Sequence, residues 1–146
     1  MNVSLALYKG PPKSLLHKVT HYITRLFTWS KYSHAELVID GVCYSSSARD
    51  GGVRAKVIDV RGERWDVFEL DIPIEVAESA KLWFEVHEED LYDYRNLIRY
   101  VFPGVGHNKN QWVCYEAVGA SLGISRPHTL TAETLLKEAK NLRGLK

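Results

Sequence analysis

The residues best suited to chemistry are a histidine and a cysteine that lie in two separate segments of the sequence. His34 opens a run whose pattern predicts a strand, and Cys114 follows the polar run 106–110 and opens a predicted helix. A thiol at a helix N-terminus feels the positive end of the helix dipole, and a nearby imidazole can hold it as the thiolate. Cysteine nucleophiles are built from such pairs, whose members meet in space rather than in sequence. If the two segments meet, we expect a cysteine-dependent acyl-transfer enzyme.

The second cysteine and the other histidines fit this chemistry less well. Cys43 lies in the middle of a predicted strand, where alternation places it in the core, so we expect a structural thiol. His17 and His21 lie one turn apart, a spacing that suits a metal ion. Because no third ligand is near in the sequence, a solvated basic helix face is the favoured interpretation, and we predict no metal site. The remaining histidines lie in polar or proline-flanked segments, namely His87, His107 and His128.

The elements that must position the pair are predicted from apolar periodicity and from turn residues. The predicted strands are Val3–Tyr8, His34–Ile39, Val42–Ser46, Val53–Val60 and Trp65–Leu70. The predicted helices are Ser14–Thr28, Ile74–His87, Tyr92–Phe102, Cys114–Leu122 and Thr131–Leu142. Strands gathered in the first half and helices in the second indicate an α+β fold, with an antiparallel β-sheet packed against helices. No linker or repeat interrupts the pattern, so residues 1–146 are expected to form a single domain.

The composition is that of an ordinary globular protein of 146 residues, with 45% hydrophobic and 25% charged residues. A formal net charge of +1 provides no global field that would favour nucleic acid as a partner. No apolar run approaches the roughly 18 residues of a membrane span, so we expect no integral membrane segment. We see no signal peptide and expect a cytoplasmic protein with both thiols free, which can act elsewhere after release. No cofactor is expected.

Four stretches of the sequence resemble one family of cysteine hydrolases. The run Ser33–Ser46, followed by Asp50–Arg54, resembles the histidine hairpin of the circularly permuted papain-like amidases. These form the permuted branch of the NlpC cell-wall peptidase superfamily, which also contains the lecithin:retinol acyltransferase relatives. The segments Tyr92–Leu97 and Trp112–Ala117 resemble the tyrosine-aspartate stretch and the cysteine helix of the same group. In that branch, as here, the histidine strand precedes the cysteine helix, and the resemblance extends roughly over His34–Leu135.

The resemblance implies a permuted papain-like fold and a definite role for each residue. The Cys114 thiolate would attack an amide or ester carbonyl, and His34 would take the thiol proton and later protonate the leaving group. The family adds a third polar residue on the following strand to orient the imidazole, and this position is supplied here by Ser45 and Ser46. Strand alternation offers a rival, because Glu36 points to the same side as His34 in a regular strand.

The resemblance also implies the substrate class, a peptide or acyl compound. We expect a cysteine amidase or endopeptidase, with cell-wall peptides as the first substrates to consider, and a compact domain of this kind suits a phage-encoded or effector-type enzyme. The alternatives are a thiol acyltransferase or lipid hydrolase of the same fold, and a catalytically inactive papain-like binding domain. Aromatic residues near the predicted site are candidates for substrate contact, although core packing explains them equally well. They are Tyr32, Tyr92 and Trp112.

Overall fold

A seven-stranded, mostly antiparallel sheet organises the computed structural model, which describes residues 1–11, 18, 30–94 and 110–144. The strands are β1 (Val3–Tyr8), β2 (His34–Ile39), β3 (Val42–Ser47), β4 (Gly52–Lys56), β5 (Trp65–Glu69), β6 (Leu91–Tyr92) and β7 (Gln111–Trp112), in the spatial order β5-β1-β2-β3-β4-β6-β7. The α-helices of the described ranges are α1 (Ile74–Val86), α2 (Cys114–Ser121) and α3 (Ala132–Asn141). The predicted α+β class is thereby confirmed.

The hairpin between β2 and β3 sets the position of His34. Asp40 and Gly41 both have positive φ values, of 48° and 86°, as a two-residue type I′ turn requires. Such a turn fixes the register of the strands that it joins. On the other side of β2, the antiparallel register with β1 places His34 opposite Tyr8. The predicted strand His34–Ile39 and its Asp-Gly turn are confirmed.

The two faces of the sheet bury different sets of side chains. The larger cluster combines one face of the central strands with the helices, and its most buried members include Leu5, Leu7, Leu37, Ala117, Val118 and Leu135. The smaller cluster contains Ala6, Val38 and Cys43, with Ile58, Val60 and Trp65 packed against it. Strand alternation explains this division, because Leu5 and Leu7 flank Ala6 along β1 and their side chains point away from it.

The predicted strand Val53–Val60 is too long, because β4 ends at Lys56. Lys56 pairs with Cys43 at the start of β3, so the ladder between the two strands has nearly run out at this point. Ile58 and Val60 nevertheless pack against the smaller cluster. Their apolar pattern therefore reflects burial without strand pairing.

A short parallel pair of strands lies immediately before Cys114 and was not predicted. Leu91 pairs with Gln111 and Tyr92 pairs with Trp112, which joins β6 to β7. The amide of Asp93 also donates to the carbonyl of Trp112 at 3.1 Å. The predicted helix Tyr92–Phe102 is thus wrong at Tyr92, which lies in a strand, and residues 95–102 lie outside the described residues.

Two of the remaining helix predictions are confirmed at their ends, and one lies almost wholly outside the described residues. The last helix has its predicted N-cap, since the amide of Thr134 donates to the hydroxyl of Thr131 at 3.4 Å. Gly123 has a φ of 70°, and α2 ends just before it, as predicted. The predicted helix Ser14–Thr28 lies outside the described residues except for Lys18, which is helical and exposed. Within the part of the chain that the structure describes, no helix combines the length and apolar character of a membrane span.

Candidate active site

Cys114 is the first residue of α2, and Val113 is the N-cap. The strand pair β6–β7 holds the chain just before the cysteine, so both the thiol and the start of the helix have defined positions. The Cys114 side chain is 3% exposed and lies close enough to the imidazole of His34 for the charge of the sulfur to act on the ring. The two segments that the sequence singles out therefore meet. The first amides of a helix have no partner within it, so those of α2 are suited to binding an oxyanion beside the thiol.

The His34 imidazole lies between the thiol and a carboxylate. Its Nε2 is 2.7 Å from Oε1 of Glu36. Burial by itself lowers the pKa of His34, but the charges of Glu36 and Cys114 raise it to about 9. The ring is therefore held as an imidazolium at neutral pH. The His34 side chain is still 23% exposed, so the ring is partly open to solvent.

Glu36 is fully buried and is bound from its other side by an arginine. Arg54 donates through Nη1 to Oε2 at 2.7 Å and through Nη2 to Oε1 at 2.5 Å. Burial raises the pKa of Glu36, but the hydrogen bonds and charges of Arg54 and His34 outweigh it and leave the pKa below its ordinary value. Oε1 is shared between the imidazole and the guanidinium. The site thus contains a buried carboxylate that stays ionised against the histidine.

The two serines that the family resemblance assigns to the imidazole bind the main chain. Ser45 donates to the carbonyl of Ala35 at 2.6 Å, beside His34 in the sequence. Ser46 donates to the carbonyl of Trp112 at 2.7 Å and so ties β3 to the strand that precedes the cysteine. Glu36, the rival from strand alternation, is the residue that contacts the ring. The serines support the two segments of the site.

The aromatic residues predicted to bind substrate are anchored by other side chains. Tyr32 is buried, and its hydroxyl donates to Oδ2 of Asp66 at 2.7 Å. The half-buried Trp112 donates through Nε1 to Oδ2 of Asp90 at 2.8 Å. Tyr92 is buried and packs against Val113, which precedes Cys114. These contacts account for the position of each ring, and a role in substrate binding stays a prediction.

Two contributors to the site were not predicted from the sequence. Trp65 faces the ring of His34 edge-on, with 6.4 Å between the centroids, and packs on Tyr8 at 5.0 Å. Tyr8 pairs with His34 on one side and with Trp65 on the other, so the contact depends on register across three strands. A feature of the sequence could have pointed to Arg54. It is an arginine in a predicted strand, directly after the Asp-Gly-Gly turn of the motif Asp50–Arg54. Sequence reasoning gave it no role.

Cys43 has the structural surroundings that alternation predicts. It is fully buried in the smaller cluster, and its thiol donates weakly to the carbonyl of Ile58 at 3.8 Å. Burial, together with the charge of Glu36, raises the pKa of the Cys43 thiol. Both cysteines are free, as expected. The thiol of Cys43 thus meets a carbonyl, whereas that of Cys114 meets an imidazole.

His87, which lies in the described part of the chain, has partners outside this site. His87 donates through Nδ1 to the carbonyl of Trp83 at 2.7 Å and stacks on the same indole. Among residues 1–11, 18, 30–94 and 110–144, no group of three His, Cys, Asp or Glu side chains could hold a metal ion. His17, His21 and His107 lie outside those ranges.

Comparisons with known proteins add no relative to this description. A scan against models of protein families finds no match. A search of curated proteins finds no match either. The site itself unites a thiol at a helix N-terminus, an imidazolium and a buried carboxylate.

Proposed function

We propose that this protein is a cysteine-dependent amidase or endopeptidase that acts through an acyl-enzyme. The contact that joins Cys114, His34 and Glu36 supports this proposal above all, because it supplies a nucleophile, a proton carrier and an orienting anion in order. These are the three roles that cysteine hydrolases combine on unrelated folds. The buried carboxylate stabilises the imidazolium, and the imidazolium stabilises the thiolate.

The reaction follows from the order of the three groups. The Cys114 thiolate attacks the carbonyl carbon, and the resulting oxyanion is stabilised by amides at the start of α2. The bond to the leaving group breaks as the imidazolium of His34 donates its proton to that group, which leaves a thioester on Cys114. Water then attacks the thioester while the neutral imidazole accepts its proton. The acid product departs, and the thiolate–imidazolium pair is restored.

The substrate class comes from the family resemblance. The histidine hairpin precedes the cysteine helix in the sequence, which is the order of the permuted papain-like amidases. The sheet and the packing of α2 against it are compatible with that fold. We therefore propose an amide bond in a cell-wall peptide as the substrate. The thiol acyltransferase alternative keeps the same acyl-enzyme and replaces water with another acceptor.

The proposal is tested with cell-wall peptides, both stem peptides and cross-linked dimers, whose products are identified by mass spectrometry. We expect cleavage by the unsubstituted protein and by Cys43→Ala, and none by Cys114→Ala or His34→Ala. Circular dichroism of each variant verifies that the fold is intact. Cleavage that survives in Cys114→Ala would overturn the mechanism, whatever the peptide.

The same experiment separates the substrate from the chemistry. Formation of a thioester on Cys114 from a long-chain ester substrate, with no cleavage of any cell-wall peptide, would favour the acyltransferase or lipid hydrolase. Absence of any covalent adduct at Cys114, with either substrate class and with iodoacetamide, would favour a papain-like domain that only binds. Intact-protein mass spectrometry distinguishes these outcomes.

A further inference from the structure

Four charged side chains form a continuous chain behind the nucleophile. His34 contacts Glu36, Glu36 accepts two hydrogen bonds from Arg54, and Nε of Arg54 donates to Oδ2 of Asp50 at 2.9 Å. We propose that Arg54, held by Asp50, is a positioning residue that sets the pH range over which Cys114 is a nucleophile. This inference rests on the proposed function for the roles of the first two groups, and it adds the two outer ones.

The geometry of Arg54 indicates that it orients the Glu36 carboxylate as well as neutralising its charge. Its guanidinium uses three nitrogens on two carboxylates, with both Nη atoms on Glu36 and Nε on Asp50. A planar group bound along two edges cannot rotate without breaking several hydrogen bonds, whereas a lysine would supply only a point charge. The side chain is 12% exposed, so solvent competes little for these bonds. Glu36 is consequently fixed in the orientation that contacts His34.

The strands explain how an arginine on β4 reaches a glutamate on β2. The strand β3 lies between them, and the residue opposite Arg54 on β3 is Ser45. A small side chain at this position leaves room for the guanidinium to cross β3. The Ser45 hydroxyl is directed to the carbonyl of Ala35 and does not compete for Glu36. This gives Ser45 a role that the family resemblance did not predict.

Asp50 is itself held by the turn before β4. Its amide donates to the carbonyl of Ser47 at 3.2 Å, and the next residue, Gly51, has a φ of 89°. A φ in this range favours glycine, so the turn is set by the Asp-Gly-Gly sequence. Asp50, the outermost of the four linked side chains, is therefore attached to a defined turn.

The other charged groups near the four linked side chains lie at the outer end, around Asp50. Lys56 donates to Oδ1 of Asp50 at 3.3 Å and is half exposed, and Nε of Arg49 lies 4.0 Å from the same oxygen. Around Glu36, the register partner on β1 is the uncharged Ala6. Among the described residues, Cys43 on β3 is a further titratable group that the charge of Glu36 affects. Arg54 is thus the residue that neutralises Glu36 on the side away from His34.

The expected effect has a definite sign. Without Arg54, the buried Glu36 carboxylate loses its stabilising partner and takes up a proton at higher pH. A protonated Glu36 no longer stabilises the His34 imidazolium, and the thiolate of Cys114 loses its counter-ion. Alkylation of Cys114 should then require a higher pH. We expect the inflection of the labelling rate to rise by about one pH unit in Arg54→Gln.

The test is the rate of iodoacetamide labelling at Cys114 from pH 4 to 10, followed by peptide mass spectrometry on folded protein. The variants are Arg54→Gln, Arg54→Lys, Asp50→Asn and Glu36→Gln, each verified by circular dichroism. Lys56→Gln is the matched control, because Lys56 shares the strand and Asp50 with Arg54 and makes no bond to Glu36. The double variant Glu36→Gln with Arg54→Gln replaces the buried ion pair by two amides, so it remains informative if Arg54→Gln alone does not fold.

We expect an upward shift in Arg54→Gln, a smaller one in Arg54→Lys and Asp50→Asn, and none in Lys56→Gln. In the Glu36→Gln background, the Arg54 substitution should add no shift, because Arg54 acts through Glu36. An unchanged inflection in folded Arg54→Gln, or an equal shift in both backgrounds, would overturn the inference. Either result, with Cys114 still labelled rapidly in the unsubstituted protein, would leave the proposed function standing. An inert Cys114 in the unsubstituted protein would overturn both.

Discussion

Cys43 and Cys114 are both free and buried, but the groups that face them differ. Cys43 lies among Ala6 and Val38 and meets one carbonyl. Cys114 opens a helix and faces the imidazole of His34. Burial without a proton acceptor leaves a thiol neutral, whereas burial beside an imidazolium favours the thiolate. In this fold the partner, and not the exposed fraction, distinguishes the structural cysteine from the one that we propose as the nucleophile.

The largest expected effect is the difference in reactivity between the two thiols. At pH 7, iodoacetamide should label Cys114 at least about 100-fold faster than Cys43, since burial raises the pKa of the Cys43 thiol and leaves little thiolate. His34→Ala should lower the labelling rate of Cys114 towards that of Cys43. Peptide mass spectrometry of both sites in one sample makes the comparison direct. Equal rates in the unsubstituted protein would remove the distinction between the thiols.

The next effect concerns Glu36, the carboxylate that contacts His34. Glu36→Gln should reduce hydrolysis about 100-fold, because an amide cannot stabilise the imidazolium that donates the proton. Glu69→Gln, on the exposed part of β5, is the matched control and should leave the rate unchanged. The measurement is kcat/KM on whichever peptide the unsubstituted protein cleaves. A loss confined to KM would contradict a role for Glu36 in supporting the proton transfer by His34.

The titration of His34 sharpens the comparison further. The His34 imidazolium should lose its proton at a pH of about 9, and hydrolysis should decline as the pH rises through that value, because the leaving group then lacks its proton donor. Glu36→Gln should lower the pKa of His34 more than Cys114→Ser does, since the charge of Glu36 raises it most and burial opposes both. NMR titration of the ring protons measures each value. The reverse order would show that the thiolate is the dominant partner of the imidazole.

The smallest effect distinguishes the two serines that support the site. Ser45→Ala and Ser46→Ala each remove one buried hydrogen bond and should each lower the free energy of unfolding by about 1 kcal/mol. Ser46→Ala should also slow labelling of Cys114 a few-fold, because Ser46 holds the strand before it. Urea denaturation and labelling at neutral pH measure the two quantities separately. Labelling that slows equally in both variants would contradict a specific role for Ser46.

Much of the architecture was predictable from local patterns, and the site was predictable only in part. Apolar alternation and the Asp40-Gly41 turn gave β2 and its hairpin, and the start of α2 followed from the polar run before Cys114. The contact of Glu36 with His34 also follows from alternation within one strand. Arg54 and Trp65 could not be assigned in the same way, because their contacts depend on which strands are neighbours and in which register. The two-residue strands β6 and β7 are too short to leave a periodic signal.

The parallel pairing of Leu91 with Gln111 has a consequence for how such a protein can diversify. Because Tyr92 and Trp112 are also paired, the two ends of the connection between β6 and β7 are fastened together at its base. Insertions, deletions or grafted sequences within residues 95–109 therefore need not displace the cysteine that follows. The position of Cys114 is thus set by two short strands that are distant in the sequence, independently of the length of chain that joins them.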